Sequence, residues 1–298
     1  MKLTSLKTLF KRPFFSFLKE VFSEWQRHGT LVEGAALAFY TIISLPTLLL
    51  ALIGIAGFLV NETTARESLV TAVQSIAGSD PAQALGVILA YSTTSSENIL
   101  RFVVGGVLLF FNITGLFSHL QAALNKIWNI KPKEHLGWGR KILSRLIAFG
   151  SFLLIAAVFA SSILVNGFIS KADKLFYFLH GNRYIGLLIL SLISNAIIFT
   201  LLFALLFRIL PDAKTKYKDV IIGGAITTLL FLIGEGILTV YFHYSSLGSS
   251  YGITGSLVIL MLWIYYSAQI IFIGAEITHQ YAQRYGEGVK AEEYAEKK

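Results

Sequence analysis

Six long apolar runs, separated by loops whose Lys and Arg content alternates between crowded and sparse, constrain this chain more than any other feature. The runs lie at about 34–60, 102–123, 143–169, 184–208, 220–243 and 253–279. Each supplies about the 20 residues that an α-helix needs to cross roughly 30 Å of hydrocarbon. In lipid the backbone must satisfy its own hydrogen bonds, so runs of this length are expected to be helices. A transmembrane β-barrel would show short alternating segments instead, and none is visible. The expected fold is an all-α integral membrane protein with six transmembrane helices.

Charge predicts their direction. The first segment carries Lys2, Lys7, Lys11, Arg12, Lys19 and Arg27. The second loop and the start of the third run carry Lys126, Lys131, Lys133, Arg140, Lys141 and Arg145. The fourth loop has Arg208, Lys214, Lys216 and Lys218, and the tail Arg284, Lys290, Lys297 and Lys298. Only Arg66, Arg101, Lys171, Lys174 and Arg183 fall on the other side, five of the chain's 25 basic residues. The positive-inside bias therefore puts both termini in the cytoplasm. A bacterial inner (plasma) membrane is the expected home.

At 55% hydrophobic residues and a mean hydropathy of +0.67, the chain is too apolar for an ordinary soluble globule. Its formal charge of +8 does not argue for nucleic acid. The basic residues concentrate in the cytoplasmic segments, where anionic lipid headgroups attract them. With no cysteine, the chain has no disulfide, thiol catalysis or Cys-ligated metal centre. The first apolar run is too long for the apolar core of a signal peptide and is expected to stay as the first span.

Outside the spans, residues 14–28 place Phe14, Leu18, Val21, Phe22 and Trp25 at helical spacing, with Pro13 suited to the first turn. An amphipathic helix lying in the cytoplasmic interface is expected, as an anchor or as a lever. Residues 61–101 form the long external loop, with apolar stripes at 69–77 and 84–89 that predict two short capping helices. Ser79-Asp80-Pro81 marks the break between them. The uncharged, Gly- and Ser-rich 245–256 is expected to form a tight external turn. The domain plan is thus a cytoplasmic segment at 1–33, a transmembrane domain at 34–279 and a cytoplasmic tail at 280–298.

Ionisable residues inside spans are costly and are functional candidates by default. Glu235 lies about 15 residues into the fifth span, roughly 23 Å from its cytoplasmic end at 1.5 Å per residue. Gly224, Thr228, Glu235, Thr239 and His243 share its face, and Gly234 and Gly236 allow another helix to approach. Tyr265, Gln269 and Glu276 form a stripe on the sixth span. Asn112 lies mid-membrane on the second, with Gly115 and His119 on its face, and Asn195 on the fourth, while Ser44 and Pro46 interrupt the first. Glu276 and Glu33 fall at the cytoplasmic boundary, with Arg208 or Arg145 as expected ion-pair partners for Glu276. These polar groups either line a hydrated cavity or bridge helices by hydrogen bonds worth about 1 kcal/mol each.

Enzyme constellations are missing. His28, His119, His135, His180, His243 and His279 are scattered, without an HExxH or other metal spacing. Asp80, Asp173, Asp212 and Asp219 are expected in loops or at a helix boundary. No Walker loop, GxSxG or dinucleotide fingerprint is present, so no metal, cofactor or catalytic residue is expected.

The segments GAALAFYTIISLP (34–46), ALNKIWNI (123–130), LP (210–211) before a basic loop, and YGITGSLVILMLWIYYSAQIIFIGAEI (251–277) resemble the YihY/BrkB family of bacterial inner-membrane proteins. The matching positions are Gly34, Tyr40, Pro46, Asn125, Trp128, Trp263, Gly274 and Glu276. The resemblance implies a six-helix membrane fold. It also implies envelope functions, including serum resistance and export of lipid precursors. Family members have been labelled ribonuclease BN, a label to which this sequence gives no chemical support.

The expected function is transport of a lipid or amphiphilic anion between leaflets, passive or ion-coupled, with Glu235 as proton carrier. Thr228, Thr239, Asn112, Asn195, Tyr265 and Gln269 would line the path, and the basic rim would recruit anionic headgroups. The alternative is a non-transporting scaffold that organises envelope proteins. Gly-rich faces allow contacts within the chain or between copies in a homo-oligomer.

Overall fold

The computed structural model describes residues 4–57, 62–77, 79–91, 99–133, 183–245 and 247–297, with parts of 139–157. Its elements run in chain order as helices α1 (Thr4–Arg27), α2 (Thr30–Gly57), α3 (Glu62–Ala77), α4 (Ser79–Tyr91) and α5 (Ile99–Ile127), then strand β1 (Ile130–Pro132). Helix α6 (Arg183–Ile209), strand β2 (Ala213–Lys214), helices α7 (Tyr217–Tyr244) and α8 (Leu247–Tyr285), and strands β3 (Lys290–Ala291) and β4 (Ala295–Lys297) complete it. Most of the third apolar run, 143–169, lies outside the described residues, as does 92–98.

Among the described residues, three helical stretches are long and apolar enough to cross a membrane: 192–209, 217–242 and 257–285. A fourth arises if α1 and α2 count as one span, bent by 59°. The bend has a local cause. Gly29 adopts φ +64°, a left-handed conformation that glycine takes without steric cost. Thr30 then restarts the helix, its hydroxyl donating to the Trp25 carbonyl at 2.7 Å.

Three sequence expectations about local structure are corrected. Helix α1 begins at Thr4, so Pro13 falls within it rather than in its first turn. Helix α2 runs unbroken through Pro46. The expected turn at 245–256 is instead helical from Leu247 onward, α7 having ended at Tyr244. Gly and Ser weaken a helix by at most about 1 kcal/mol each, which packing against neighbours readily outweighs. The two short helices expected in the first long loop are present as α3, which ends at Ala77, and α4, which begins at Ser79.

Helix α8 is the hub, packing against α1, α2, α4, α5 and α7. Its crossings are close because small residues meet Thr side chains. A Cβ on Gly274 would lie 2.0 Å from Thr227 Oγ1 of α7, and one on Gly223 of α7 would lie 1.9 Å from Thr278 Oγ1 of α8. Between apolar helices in lipid, such packing takes the place of the hydrophobic drive. The main core joins Ile113, Leu124, Ile127 and Trp128 of α5 and its end to Phe203 and Phe207 of α6 and Phe272 of α8. A second core, Leu49 and Ile53 with Leu85 and Leu89, seats α4 on α2.

The tail is also ordered. Strand β4 pairs antiparallel with β1, and β3 pairs antiparallel with β2. The ends of α5, α6 and α8 are thereby stitched together by residues 290–297. Lys131 faces Glu296 at 3.3 Å and Lys214 faces Glu292 at 3.3 Å, while Lys216 pairs with Glu287.

Candidate functional site

The polar residues expected in the membrane separate into helix clasps and one group that stays apart. Gln269 is a clasp. It lies across Gly34, where an added Cβ would come within 2.0 Å of its Nε2, and that nitrogen donates to the Thr30 carbonyl at 3.1 Å. Tyr265 lies against the same glycine. Thr228 is buried, donates to the Gly224 carbonyl at 2.9 Å and accepts from Thr200 of α6 at 3.2 Å. Asn112 and Asn195 are half-buried on α5 and α6.

Glu235 differs. It is half-buried about two thirds of the way along α7, and its carboxylate makes no hydrogen bond or ion pair with any described residue. Thr239, one turn on, is exposed and bonds only the Glu235 backbone carbonyl, at 2.9 Å. Along this face α7 thus passes from tight burial at Gly224 to open surface at Thr239.

A second polar zone lies at the stitched end. The expected partners of Glu276 are corrected here. Arg208 instead donates to the Thr215 carbonyl at 2.6 Å and lies over the Tyr217 ring, and Arg145 is exposed. Glu276 is fully buried and is met by His28 Nδ1 at 3.1 Å and by Gln280 Nε2, which donates at 3.1 Å. The cause is the α1–α2 bend, which carries His28 into α8 before either arginine can reach it. Glu33 is a genuine ion-pair residue, held by Lys126 at 2.9 Å with His119 at 3.5 Å, and joins α2 to α5.

Nearby, Asn125 and Asp212 exchange two hydrogen bonds. The Asn125 amide donates to Asp212 Oδ2 at 2.8 Å, and the Asp212 backbone N–H donates to Asn125 Oδ1 at 2.8 Å. Gln121 adds a third, at 3.2 Å. This clasp fastens α5 to the loop after α6. Trp128 is buried with its indole N–H 3.4 Å from the Ala275 carbonyl of α8. The motif residues Gly34, Asn125, Trp128, Gly274 and Glu276 are therefore the points at which α8 and α5 lock to their neighbours.

The structure also assembles a donor set that linear spacing concealed. Glu24, His28 and Glu276 each offer one ligand atom, all within 4.8 Å of one another. The expectation that no histidine stands in a metal-ligand arrangement is revised accordingly. Glu24 and His28 are one helical turn apart, and Glu276 and His279 nearly one turn apart, so each pair shares a helix face. Those two short spacings were the available signal.

A helical membrane protein whose central helix gathers the others through small-residue crossings is what this fold defines. The chain belongs to the family described as virulence factor BrkB, whose model matches residues 21–298. It is 26% identical over 275 residues to a UPF0761 membrane protein of Coxiella burnetii, covering 91% of this chain and 94% of that one. It is 25% identical over 276 residues to a protein of Bacillus subtilis named as ribonuclease-like, YfkH, covering 88% and 94%. A UPF0761 membrane protein of Vibrio vulnificus is 23% identical over 274 residues, covering 90% and 83%. No solved structure matches.

Proposed function

We propose that this membrane protein crosses the bacterial inner membrane six times, keeps both termini in the cytoplasm, and moves a lipid or amphiphilic anion between the leaflets. The crossing number draws support from the ends of the helices. The ends of α5, α6 and α8 and the bend between α1 and α2 share the stitched end, so α6 begins at the opposite one. The chain leaves the stitched end after Lys133 and comes into α6 from the far side at Arg183, which fits a further crossing by the apolar run 143–169. The stitched end also carries the Lys-rich loops that the positive-inside bias assigns to the cytoplasm.

Glu235 carries the transport proposal. A charged side chain costs up to about 2.5–3.5 kcal/mol on insertion scales, the maximum at the centre of a span and less in the outer half where Glu235 falls. A carboxylate kept in the span without a partner among the described residues is best explained by use. The sequence carries no nucleotide-binding motif, so the proposed movement is passive or coupled to protons or another ion, with Glu235 as the candidate proton carrier. Anionic headgroups remain the proposed substrate moiety. They would meet a rim whose Lys126 and Lys131 are already engaged by Glu33 and Glu296.

The scaffold alternative is favoured by one observation: Gln269 and Thr228, two of the expected path residues, spend their hydrogen bonds on neighbouring helices. Translocation of labelled phospholipid in proteoliposomes, with and without a proton gradient, separates the two. Transport by wild type that disappears in a folded Glu235→Gln variant is the expected result. Full activity in that variant removes Glu235 from the mechanism. Folded protein that moves no lipid under any gradient returns the scaffold.

A further inference from the structure

The junction of α1, α2 and α8 holds an electrostatic imbalance that nothing in the transport proposal uses. His28 is bracketed by two carboxylates, with Nδ1 3.1 Å from Glu276 Oε2 and Nε2 3.9 Å from Glu24 Oε2. Its side chain is only 7% exposed and that of Glu276 is 0% exposed. A neutral imidazole carries a single N–H, so it can satisfy only one of the two. With that proton on Nδ1 toward Glu276, Nε2 presents a lone pair to a second anion. Nε2 is indeed buried without any hydrogen-bond partner.

Positive charge is short on the inner side. Arg27 pairs with Glu24, but from the solvent side, its own side chain being 63% exposed. Among the described residues, no Lys or Arg lies within ion-pair distance of Glu276. A carboxylate removed from water without a compensating charge costs several kcal/mol. His279, almost one turn beyond Glu276, is also buried.

We propose that Glu24, His28 and Glu276 bind one first-row divalent cation, with zinc the best match to the donor set. One nitrogen of His28 and one oxygen from each carboxylate would serve. Ligands with bonds of about 2.0–2.2 Å stand roughly 3–4 Å apart, and these three atoms, within 4.8 Å of one another, must draw in by up to about 1 Å to meet that. One imidazole and two carboxylates suit Zn²⁺ or Mn²⁺ better than Ca²⁺ or Mg²⁺, which prefer oxygen alone. Gln280, donating to the other oxygen of Glu276, supplies the outer hydrogen bond that orients a ligating carboxylate. The ion would fasten α1 to α8 across 248 residues of sequence and set the bend at Gly29.

The test uses the full chain purified in detergent, with any affinity tag removed and metal stripped by EDTA. Zn²⁺, Co²⁺ and Mg²⁺ are titrated separately, followed by calorimetry and, for Co²⁺, by visible absorption. One Zn²⁺ or Co²⁺ per chain is expected, with Mg²⁺ much weaker. His28→Asn and Glu24→Gln should each weaken binding about tenfold or more, while Glu20→Gln, exposed on the same helix, leaves it unchanged. Glu24 is partly exposed, so its variant keeps the test decisive even if changes at the buried positions fail to fold. Absence of saturable binding to monodisperse wild type overturns the proposal. Binding that is unaffected in both ligand variants overturns it equally. Neither result bears on Glu235.

Discussion

Gly224→Ala and Gly236→Ala make the same chemical change twelve residues apart on α7, and the structure assigns them opposite signs. At Gly224 the new methyl would lie 2.7 Å from the Thr200 carbonyl oxygen and 2.9 Å from the Ala204 amide nitrogen, both backbone atoms of α6. Ordinary contact begins at 3.4 Å, so the two helices must separate by about 0.7 Å. Backbone cannot rotate away as a side chain can. Overpacking of this kind costs about 1–3 kcal/mol. Separation also strains the 3.2 Å Thr200–Thr228 hydrogen bond, an interaction worth about 0.6 kcal/mol between membrane helices. A loss of roughly 2–3 kcal/mol follows, or a fall in melting temperature of roughly 4–12 °C on soluble-protein scaling. At Gly236 no described atom lies within 4 Å of the new methyl, and the better helix propensity of Ala adds up to about 1 kcal/mol. Thermal unfolding of both variants in one detergent, read by size-exclusion survival after heating, checks the pair. Equal melting temperatures, or a Gly224→Ala protein as stable as wild type, would refute the close-crossing argument.

Other predictions concern the stitched end. Asn125→Ala strips partners from a buried carboxylate and a buried N–H at once, and should cost at least about 2 kcal/mol in the same heating assay. Asn125→Asp, which sets two carboxylates together, should be worse. The tail is held partly by exposed ion pairs, so its protection from limited proteolysis should fall at high salt, where such pairs are screened. Lys216 holds the Glu287 carboxyl below its usual value of 4.5, chiefly by hydrogen bonding. A depressed folded value means that any contribution is present above pH 4.5 and is lost as pH drops through the lower folded value. Tail protection should therefore weaken on acidification below that point. Protection indifferent to both salt and acid would leave the backbone pairing of 290–297 as the sole restraint.

Much of the architecture was legible because lipid makes hydropathy a strong signal. The apolar runs became α2, α5, α6, α7 and α8, and Ser79-Asp80-Pro81 marked the start of α4. The errors have particular causes. Gly and Ser at 247–256 read as a turn because local propensity ignores the neighbours that hold α8. Glu276 was matched with arginines at similar depth, since depth along a helix is readable but direction around it is not. The spacing of Glu24 and His28 was readable, but the meeting of His28 with Glu276 could be found only in three dimensions, because it depends on one left-handed glycine. Gln269 illustrates the commoner outcome for a polar residue in a span: a clasp, with one oxygen left over. The pairing of the tail was not read because its strands are two and three residues long, too short to carry a pattern.

The pairing of residues 290–297 with β1 and β2 has a consequence for how the protein is made. These strands leave the ribosome after every helix described here, yet they close loops that were synthesised up to about 160 residues earlier. Until they arrive, the backbone edges at 130–132 and 213–214 stay open to solvent and to other chains. The tail thus supplies each of these strands with its partner last: a chain interrupted before residue 290 shows both without it, and the pairing of 290–297 covers one side of each.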